Sequence, residues 1–330
     1  MRKQFYRTAA VAMTLMMSVS MMTGCGAKDA ATTEATTAAE DAKGEDDEEN
    51  YNTGDASLDD IRNADNIGDS ELLVVSFGTS FNDSRRLTIG GIEGAIDDAL
   101  GKDYSVRRAF TSQIIIDHVQ KRDGVLIDNM ETALKRAADN NVKTLVIQPT
   151  QLMDGFEYQE IDQALANYSD AFESVSIGAP LLTSDEDYDR VAEAMRDVTK
   201  EYDDGETAIV FMGHGTEADS NGVYAGMQSV FDNKGYSNYF IGTVEATPSL
   251  DDVVAKVKAG NYKKVVLRPM MVVAGDHANN DMAGDEDDSW KSVFEKEGYE
   301  VTCVLEGLGQ VPAIQQIYVD HAKQAVEGTK

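Results

Sequence analysis

The sequence predicts an α/β fold of two similar domains, each with a four-stranded parallel sheet flanked by helices. Short apolar runs typical of buried parallel strands alternate along the chain with longer helical segments. Two sequence pairs also recur in the two halves of the chain: LLVVSFGTS resembles AIVFMGHGT, and VIQPTQLMDG resembles VLRPMMVVAG, each of the latter two with Gly six residues after Pro. The repeated segments lie well over a hundred residues apart, and such a long repeat indicates a duplicated domain.

The apolar runs predict four strands in each half. In the first half they cover residues 72–77, 106–110, 144–148 and 175–177, and in the second 208–212, 239–244, 264–268 and 301–305. Helices are predicted at about 82–100, 125–140, 157–168 and 311–326, the first capped by Asn82 or Asp83 and the last packing back across a domain. Two such sheets facing each other would leave a cleft between their strand ends, where open α/β sheets bind ligands.

Residues 1–25 are predicted to be a secretory signal. Basic residues precede the apolar run Ala9–Met22, which is too short and wrongly flanked for a retained membrane span. The end of the run resembles the lipobox of bacterial lipoproteins, which implies that Cys25 is lipidated; the alternative is an ordinary cleaved signal peptide. We therefore expect an exported protein, lipid-anchored to the outer face of the cytoplasmic membrane or in the periplasm, that meets the membrane only through its anchor.

Residues 26–70 are predicted to be an acidic, disordered tether. This segment has fourteen Asp or Glu against three Lys or Arg, a net charge of −11 out of −30 for the chain. Its first half lacks large apolar residues and cannot bury enough surface to offset chain entropy. The remaining acidity argues against a nucleic-acid partner. The folded part then divides into an N-terminal half, 71–200, and a C-terminal half, 201–330.

Three side chains that commonly bind metals follow predicted strands of the second half. His214 lies in GHG, Glu245 in GTVEATP and His277 in AGDHAN. Adjacent parallel strands lie about 5 Å apart, so groups at neighbouring strand ends can converge on one ion. Two imidazoles and one carboxylate suit a divalent first-row metal. The alternative for His277 is an acidic surface loop with an incidental histidine.

Long segments around these residues resemble one enzyme family. FMGHGT, GTVEATPSLDD and MMVVAGDHANNDMAGDEDDSWKS resemble the anaerobic sirohydrochlorin cobaltochelatases, the class II chelatases of the cobalt-early route to vitamin B12. LLVVSFGTSF, RRAFTSQIIIDHVQKRDG and QPTQLMDGFEYQEI fit the same family, so the resemblance covers about residues 72–318. It implies a chelatase fold with a tetrapyrrole in the cleft and with the metal handled by His214, Glu245 and His277 of the C-terminal half.

The resemblance also implies a reaction. We expect insertion of Co²⁺, with Fe²⁺ or Ni²⁺ as alternatives, into sirohydrochlorin with release of two protons and no organic cofactor. His214 is expected to act as base and ligand, and Glu245 and His277 as ligands, with an exchange of the two histidine roles left open, because a neutral imidazole can bind a metal or accept a proton near neutral pH. The residues after His277, together with Asp276, are expected to orient it or to cap the next helix.

The remaining candidates are expected to matter less. Ser76, Thr79 and Gln151 could contact the substrate, Gln151 standing where the family carries a histidine. His118 and His321 lie in helical patterns and are predicted to be surface residues.

A second class of function stays open. The exported location and Gln151 favour a non-catalytic surface lipoprotein that binds haem, another tetrapyrrole or a metal ion, whereas the three metal-type residues favour an enzyme. A purely structural lipoprotein would need none of those three residues. The sequence also leaves a homo-oligomer open.

Overall fold

The first sheet contains the four strands predicted for the N-terminal half. A computed structural model describes residues 53–168 and 170–329. The sheet is parallel, in the order β2-β1-β3-β4. The side chains of β1 are almost entirely buried because it is an inner strand. The strands are β1 (Ser70–Ser76), β2 (Ser105–Phe110), β3 (Thr144–Pro149) and β4 (Ser174–Ile177).

The second sheet repeats this topology with the strands predicted for the C-terminal half. Its parallel order is β6-β5-β7-β8, with β5 in the central position that β1 holds in the first sheet. Ile209 of β5 pairs with Tyr239 and Val266, as Leu72 of β1 pairs with Val106 and Val146. The predicted fold class is confirmed. The strands are β5 (Thr207–Gly213), β6 (Tyr239–Thr243), β7 (Lys264–Pro269) and β8 (Glu300–Cys303).

Helices connect the strands and cover both sheets. Those of the first half are α1 (Asn82–Leu87), α2 (Ile89–Leu100), α3 (Gln113–Asp123), α4 (Met130–Asp139), α5 (Phe156–Leu165) and α6 (Asp185–Thr199). Those of the second half are α7 (Gly222–Asn233), α8 (Leu250–Ala259), α9 (Trp290–Lys296) and α10 (Pro312–Gly328). Within the described residues, no helix is both long and apolar enough to cross a membrane.

One apolar core joins the two halves. It combines Val74 of the first sheet with Phe211 of the second and with Ile317 on the inner face of α10. The hydroxyl of Tyr318, also on α10, donates to the carbonyl of Thr150 after β3 at 2.8 Å. The last helix therefore packs back across the N-terminal half, as predicted, and the described residues belong to one compact unit. The boundaries drawn at residues 25 and 200 stay predictions.

The predicted disordered tether ends too late in the sequence. Residues 1–52, which include Cys25 and the predicted signal, lie outside the described part of the chain, but residues 53–69 pack against the N-terminal half. We call residues 53–69 the strap. Asp59 of the strap is buried between two arginines, and Ile67 packs against an apolar cluster of the first sheet. Low hydrophobicity did not reveal this docking because buried ion pairs, rather than apolar side chains, provide much of it.

Two local predictions are wrong. The helix predicted at 82–100 is two helices that meet at Thr88, and its N-cap is Phe81, which caps nothing with its side chain. Asn82 instead donates to the carbonyl of Gly54 in the strap at 3.2 Å. His321 is not a surface residue, because α10 turns it inward, where its Nε2 lies 3.1 Å from the Asp187 carboxylate.

Candidate metal centre

Three side chains of the C-terminal half converge at the carboxyl ends of its sheet. His214 follows β5, Glu245 follows β6, and His277 lies in the loop and helical turn after β7. One ligand atom from each lies within 4.8 Å of the other two. The two imidazole rings are 4.7 Å apart between centroids and nearly perpendicular, at 79°. This is the convergence expected from strand ends in the order β6-β5-β7.

A backbone carbonyl of the loop after β5 holds the ring of His214. Its Nδ1 atom lies 2.7 Å from the carbonyl oxygen of Gly215, which can only accept, so Nδ1 carries the hydrogen and Nε2 keeps its lone pair for a ligand. Gly215 has a φ of 92°, a backbone conformation that glycine adopts readily. On the other side of His214, the buried ring of Tyr224 occupies the space that a side chain at Gly213 would need.

A short π-helical turn, Ala278–Met282, follows His277. Such turns are rare and often occur at functional sites. The turn brings the carboxylate of Asp281 to 2.7 Å from Nδ1 of His277. This hydrogen bond raises the pKa of His277; burial of the ring opposes the rise, and the charges of Asp281, Asp276 and Glu245 add to it.

The prediction that residues around His277 orient it is confirmed for Asp281. Asp276, by contrast, accepts a hydrogen bond from Asn280 at 2.6 Å and acts on His277 through its charge. Asn279 donates to the carbonyl of Gly275 at 2.7 Å and so holds the turn itself. The adjacent residues therefore build the turn, while Asp281 holds the ring.

Glu245 completes the cluster from the loop after β6. Its backbone N–H donates to the carbonyl of His214 at 2.9 Å, so the two loops are tied together. Its carboxylate lies 3.7 Å from Nδ1 of His214. About half of the side-chain surface of His214 and Glu245 and a third of that of His277 is exposed, at 47%, 51% and 33%. Because these three metal-binding side chains lie on an open surface, a metal ion has room to enter and leave.

The N-terminal half faces this cluster through the segment after β1. A Cβ at position 275 would lie only 2.9 Å from the Thr79 hydroxyl, so Thr79 packs directly against Gly275. The hydroxyl of Ser84 accepts from the backbone N–H of Ala274 at 3.0 Å. The first half therefore touches the loop that carries His277.

The predicted substrate residues have mostly structural surroundings. Ser76 is buried, and its hydroxyl accepts from Thr150 at 2.7 Å. Thr79 is buried against Gly275, so neither hydroxyl presents an open contact. Both polar atoms of the Gln151 amide are buried without a hydrogen-bond partner among the described residues, which is costly for an amide. These atoms are as buried as the two hydroxyls, and substrate contact by Gln151 stays a prediction.

Two exposed aromatic residues that follow strands of the first sheet were not predicted. Phe77 is 50% exposed although the residues on both sides of it are buried, and Phe156, at the start of α5, is 59% exposed. They follow the neighbouring strands β1 and β3. An apolar run such as LLVVSF hides this exposure, because only the end of the strand decides that its last ring leaves the core.

The fold matches those of solved chelatases, and the three converging side chains suit a metal-binding role. SirB from Bacillus subtilis with Fe³⁺ aligns with a TM-score of 0.55 at 13% identity, over 79% of this chain and 98% of that chain. The sirohydrochlorin chelatase SirB from Bacillus subtilis subspecies spizizenii in complex with cobalt aligns with a TM-score of 0.52 at 13% identity, over 79% and 97%. At this identity the likeness establishes the fold.

Sequence comparison identifies the family. The model of the cobalt chelatase (CbiK) family matches residues 70–327, and this chain belongs to that family. The sirohydrochlorin cobaltochelatase of Salmonella typhimurium is 36% identical over 255 residues, which are 77% of this chain and 96% of the relative. The sirohydrochlorin cobaltochelatase CbiKC of Nitratidesulfovibrio vulgaris is 31% identical over 227 residues, 67% and 78% of the two chains. The predicted resemblance is confirmed.

Proposed function

We propose that this protein is a sirohydrochlorin cobaltochelatase that inserts Co²⁺ into the tetrapyrrole and releases two protons. The observation that carries the proposal is the convergence of His214, Glu245 and His277 within 4.8 Å at the carboxyl ends of the second sheet. Both curated relatives described above bear this name, and this chain covers most of each. No organic cofactor enters the reaction, and the metal is a substrate.

The three side chains divide the work of metal insertion. Nε2 of His214 and the Glu245 carboxylate bind the incoming ion and replace part of its water shell. Pyrrole nitrogens can bind the metal only after they lose their protons, and the site therefore needs a base. We assign this role to His277 rather than His214, because the Asp281 carboxylate stabilises the imidazolium that forms. His277 also serves as a ligand while it is neutral.

The tetrapyrrole would lie between the metal centre and the first sheet. Phe77 and Phe156 offer exposed aromatic surface where they follow strands of that sheet, and a flat macrocycle buries such surface well. The Gln151 amide, buried without a partner, would gain one from a polar group of the substrate.

The test is anaerobic chelation by the full chain. Sirohydrochlorin and Co²⁺ are mixed with the protein, and the absorption change is followed after subtraction of the spontaneous rate. His214→Ala, Glu245→Gln and His277→Ala are each expected to lower kcat/KM by about a hundredfold or more, since each removes a ligand or base. His118→Ala, on α3 and outside the three-residue cluster, is the matched control and should keep wild-type activity.

The same experiment decides between the two functions and among the metals. A tight spectral complex without acceleration would refute the enzyme and favour the binding lipoprotein, for haem, another tetrapyrrole or a metal ion. Replacing Co²⁺ by Fe²⁺ or Ni²⁺ at equal concentration ranks the metals. Acceleration with Fe²⁺ or Ni²⁺ but not with Co²⁺ would overturn the choice of cobalt.

We infer that the protein is exported and held at a membrane by a lipid on Cys25. The support is the signal-like sequence of residues 1–25 and the acidic segment that separates it from the strap. In a bacterial host fed a labelled fatty acid, the wild type should become labelled and partition with membranes, whereas Cys25→Ser should not. An unlabelled wild type in the soluble fraction would refute the anchor.

A further inference from the structure

The strap lies outside the part of the chain that matches the family, yet it reaches deep into the N-terminal half. The family match begins at residue 70, and the strap covers residues 53–69. Its Asp59 has a side chain that is 1% exposed. The carboxylate accepts from Nε of Arg85 at 2.7 Å, and from Nη1 and Nη2 of Arg108 at 2.7 and 3.1 Å. The side chains of both arginines are fully buried.

The charge of Asp59 completes a buried network. Arg108 also donates to both carboxylate oxygens of Glu93, each at 2.7 Å. The carboxylates of Asp59 and Glu93 are thus the counterions of Arg85 and Arg108. Nε of Arg62 in the strap also lies 3.6 Å from Glu93. Without the charge of Asp59, one buried cation would lack its counterion, which is strongly unfavourable in a protein interior.

Arg85 connects this network to the segment that faces the metal centre. Its Nη1 donates to the carbonyl of Thr79 at 3.2 Å, and its Nη2 donates to the side-chain oxygen of Asn82 at 2.6 Å. The backbone of the strap holds the same segment, since Asp83 N–H donates to the carbonyl of Thr53 at 2.8 Å. The strap therefore holds residues 79–83 both through Arg85 and through its own backbone.

This segment in turn touches the loop of His277. Thr79 packs on Gly275, and the hydroxyl of Ser84 accepts from Ala274 at 3.0 Å. A shift of residues 79–84 would change how the first half meets this loop and so alter the space in which a tetrapyrrole would lie. The three metal-type side chains belong to the other half and have their own supports, described above.

We propose that Asp59 is a positioning residue for chelation: by fixing Arg85, it sets residues 79–84 against the His277 loop at the spacing that the tetrapyrrole requires. This chelatase has thus incorporated the segment before its family domain into the structure of its active site. The proposal rests on the proposed function for its kinetic consequence, but its structural consequence can be measured without any activity.

The test compares two neighbouring aspartates in the full chain. Asp59→Asn removes the buried charge, whereas Asp60→Asn changes a side chain that is 75% exposed and lies 3.9 Å from Nε of Arg62. At a temperature well below unfolding, Asp59→Asn should raise the KM for sirohydrochlorin about tenfold or more, since small misplacements at a site are costly. The affinity for Co²⁺ alone, measured by titration calorimetry, should stay near the wild-type value. Asp60→Asn should match the wild type in both.

A second readout is independent of function. Amide hydrogen exchange in residues 79–88 should become faster in Asp59→Asn and stay unchanged in Asp60→Asn. A lower melting temperature with unaltered KM and unaltered exchange in residues 79–88 would make the strap a general stabiliser and overturn the proposal. If the wild type fails to accelerate chelation, the proposed function falls, and the exchange experiment still decides the positioning role.

A further variant covers the case in which Asp59→Asn does not fold. Ser84→Ala leaves the buried ion pairs intact and removes only the acceptor of the Ala274 N–H. It should raise the KM for sirohydrochlorin in the same direction while Co²⁺ affinity stays unchanged. A KM equal to that of the wild type in Ser84→Ala would contradict the proposed role of this contact in placing the tetrapyrrole.

Discussion

The two histidines of the metal centre differ in the acceptor that each Nδ1 atom meets. His214 meets a backbone carbonyl, that of Gly215, whereas His277 meets the carboxylate of Asp281. A carboxylate stabilises the protonated ring and a carbonyl does so less, so the pKa of His277 is raised above its usual value. The Asp281 carboxylate thus favours the protonated form of His277, which suits the base that we propose for metal insertion with proton release.

Asp281→Asn should move the acid limb of the pH–activity profile to lower pH. His277 must be neutral to bind metal or accept a proton, and wild-type activity is therefore lost as the pH falls through its raised pKa. Removing the Asp281 charge lowers that pKa, so the ring stays neutral to lower pH. The maximum rate should also fall by about 10- to 100-fold, because the ring loses its orienting partner. The measurement is kcat/KM against pH.

The control for this prediction is Asp285→Asn. Asp285 lies close in sequence, but its side chain is 95% exposed and pairs with Lys291. Its profile should overlay that of the wild type. An acid limb that stays in place in Asp281→Asn would show that His277 does not set it.

At the scale of secondary structure elements, the end of β5 and the helix α7 together shape the loop of His214. Gly213 is the last residue of β5, and Tyr224 lies in the first turns of α7 with almost no exposed surface. A Cβ at position 213 would lie 2.2 Å from Cε1 of that ring. The strand can therefore pass the helix only where it has no side chain, and this close approach directs the chain into the His214 loop.

Gly213→Ala should impair both stability and chelation. The buried tyrosine ring cannot move aside without disturbing the core, so we expect a loss of about 1–3 kcal/mol in the free energy of unfolding. The His214 loop should shift with it, and kcat/KM should fall. Denaturant unfolding and steady-state kinetics measure the two effects.

Gly222→Ala is the matched control, on the helix that carries Tyr224. A Cβ at position 222 would have no atom within 4 Å apart from its chain neighbours and its own helix backbone, and the φ of −55° is helical. Alanine therefore fits there. This variant should be unchanged or more stable by up to about 1 kcal/mol. Equal stability of the two variants would contradict the steric role of Gly213.

At the scale of the whole molecule, the two duplicated halves share their core. Leu72 of β1, Phe211 of β5 and Ile314 of α10 belong to one buried cluster. The C-terminal helix thus follows the second half in the chain and packs against the first half. Burial of apolar surface across the duplication makes the two halves depend on each other.

We expect thermal unfolding of the described fold in one transition that involves both sheets. Ile317→Ala, at a fully buried position on α10, should lower the free energy of unfolding by about 2–5 kcal/mol and move the whole transition. Gln316→Ala, exposed on the same helix, should stay within about 0.5 kcal/mol of the wild type. Circular dichroism and calorimetry provide the measurement. Two separate transitions, of which only one moves, would sink this prediction.

The sequence by itself determined the features that depend on local pattern. The central strands β1 and β5 were predictable because a buried parallel strand is a continuous apolar run. The other strands followed from their place in the alternation of strands and helices, and the duplication followed from the repeated segments. His214, Glu245 and His277 were predictable because each follows a strand, and the carboxyl ends of parallel strands meet at one edge of a sheet. The docking of the last helix also followed from its apolar pattern.

Only the tertiary structure decided the contacts between segments that are distant in sequence. Asp59 resembles every other acidic residue of its segment until Arg85 and Arg108 surround it. His321 became a buried residue through Asp187, more than a hundred residues away in the chain. Phe77 ends an ordinary apolar run, and only the edge of the assembled sheet leaves it exposed. Periodicity indicates which side of an element is apolar. The ion-pair and hydrogen-bond partners of a side chain depend on the distant segments that pack against it after folding.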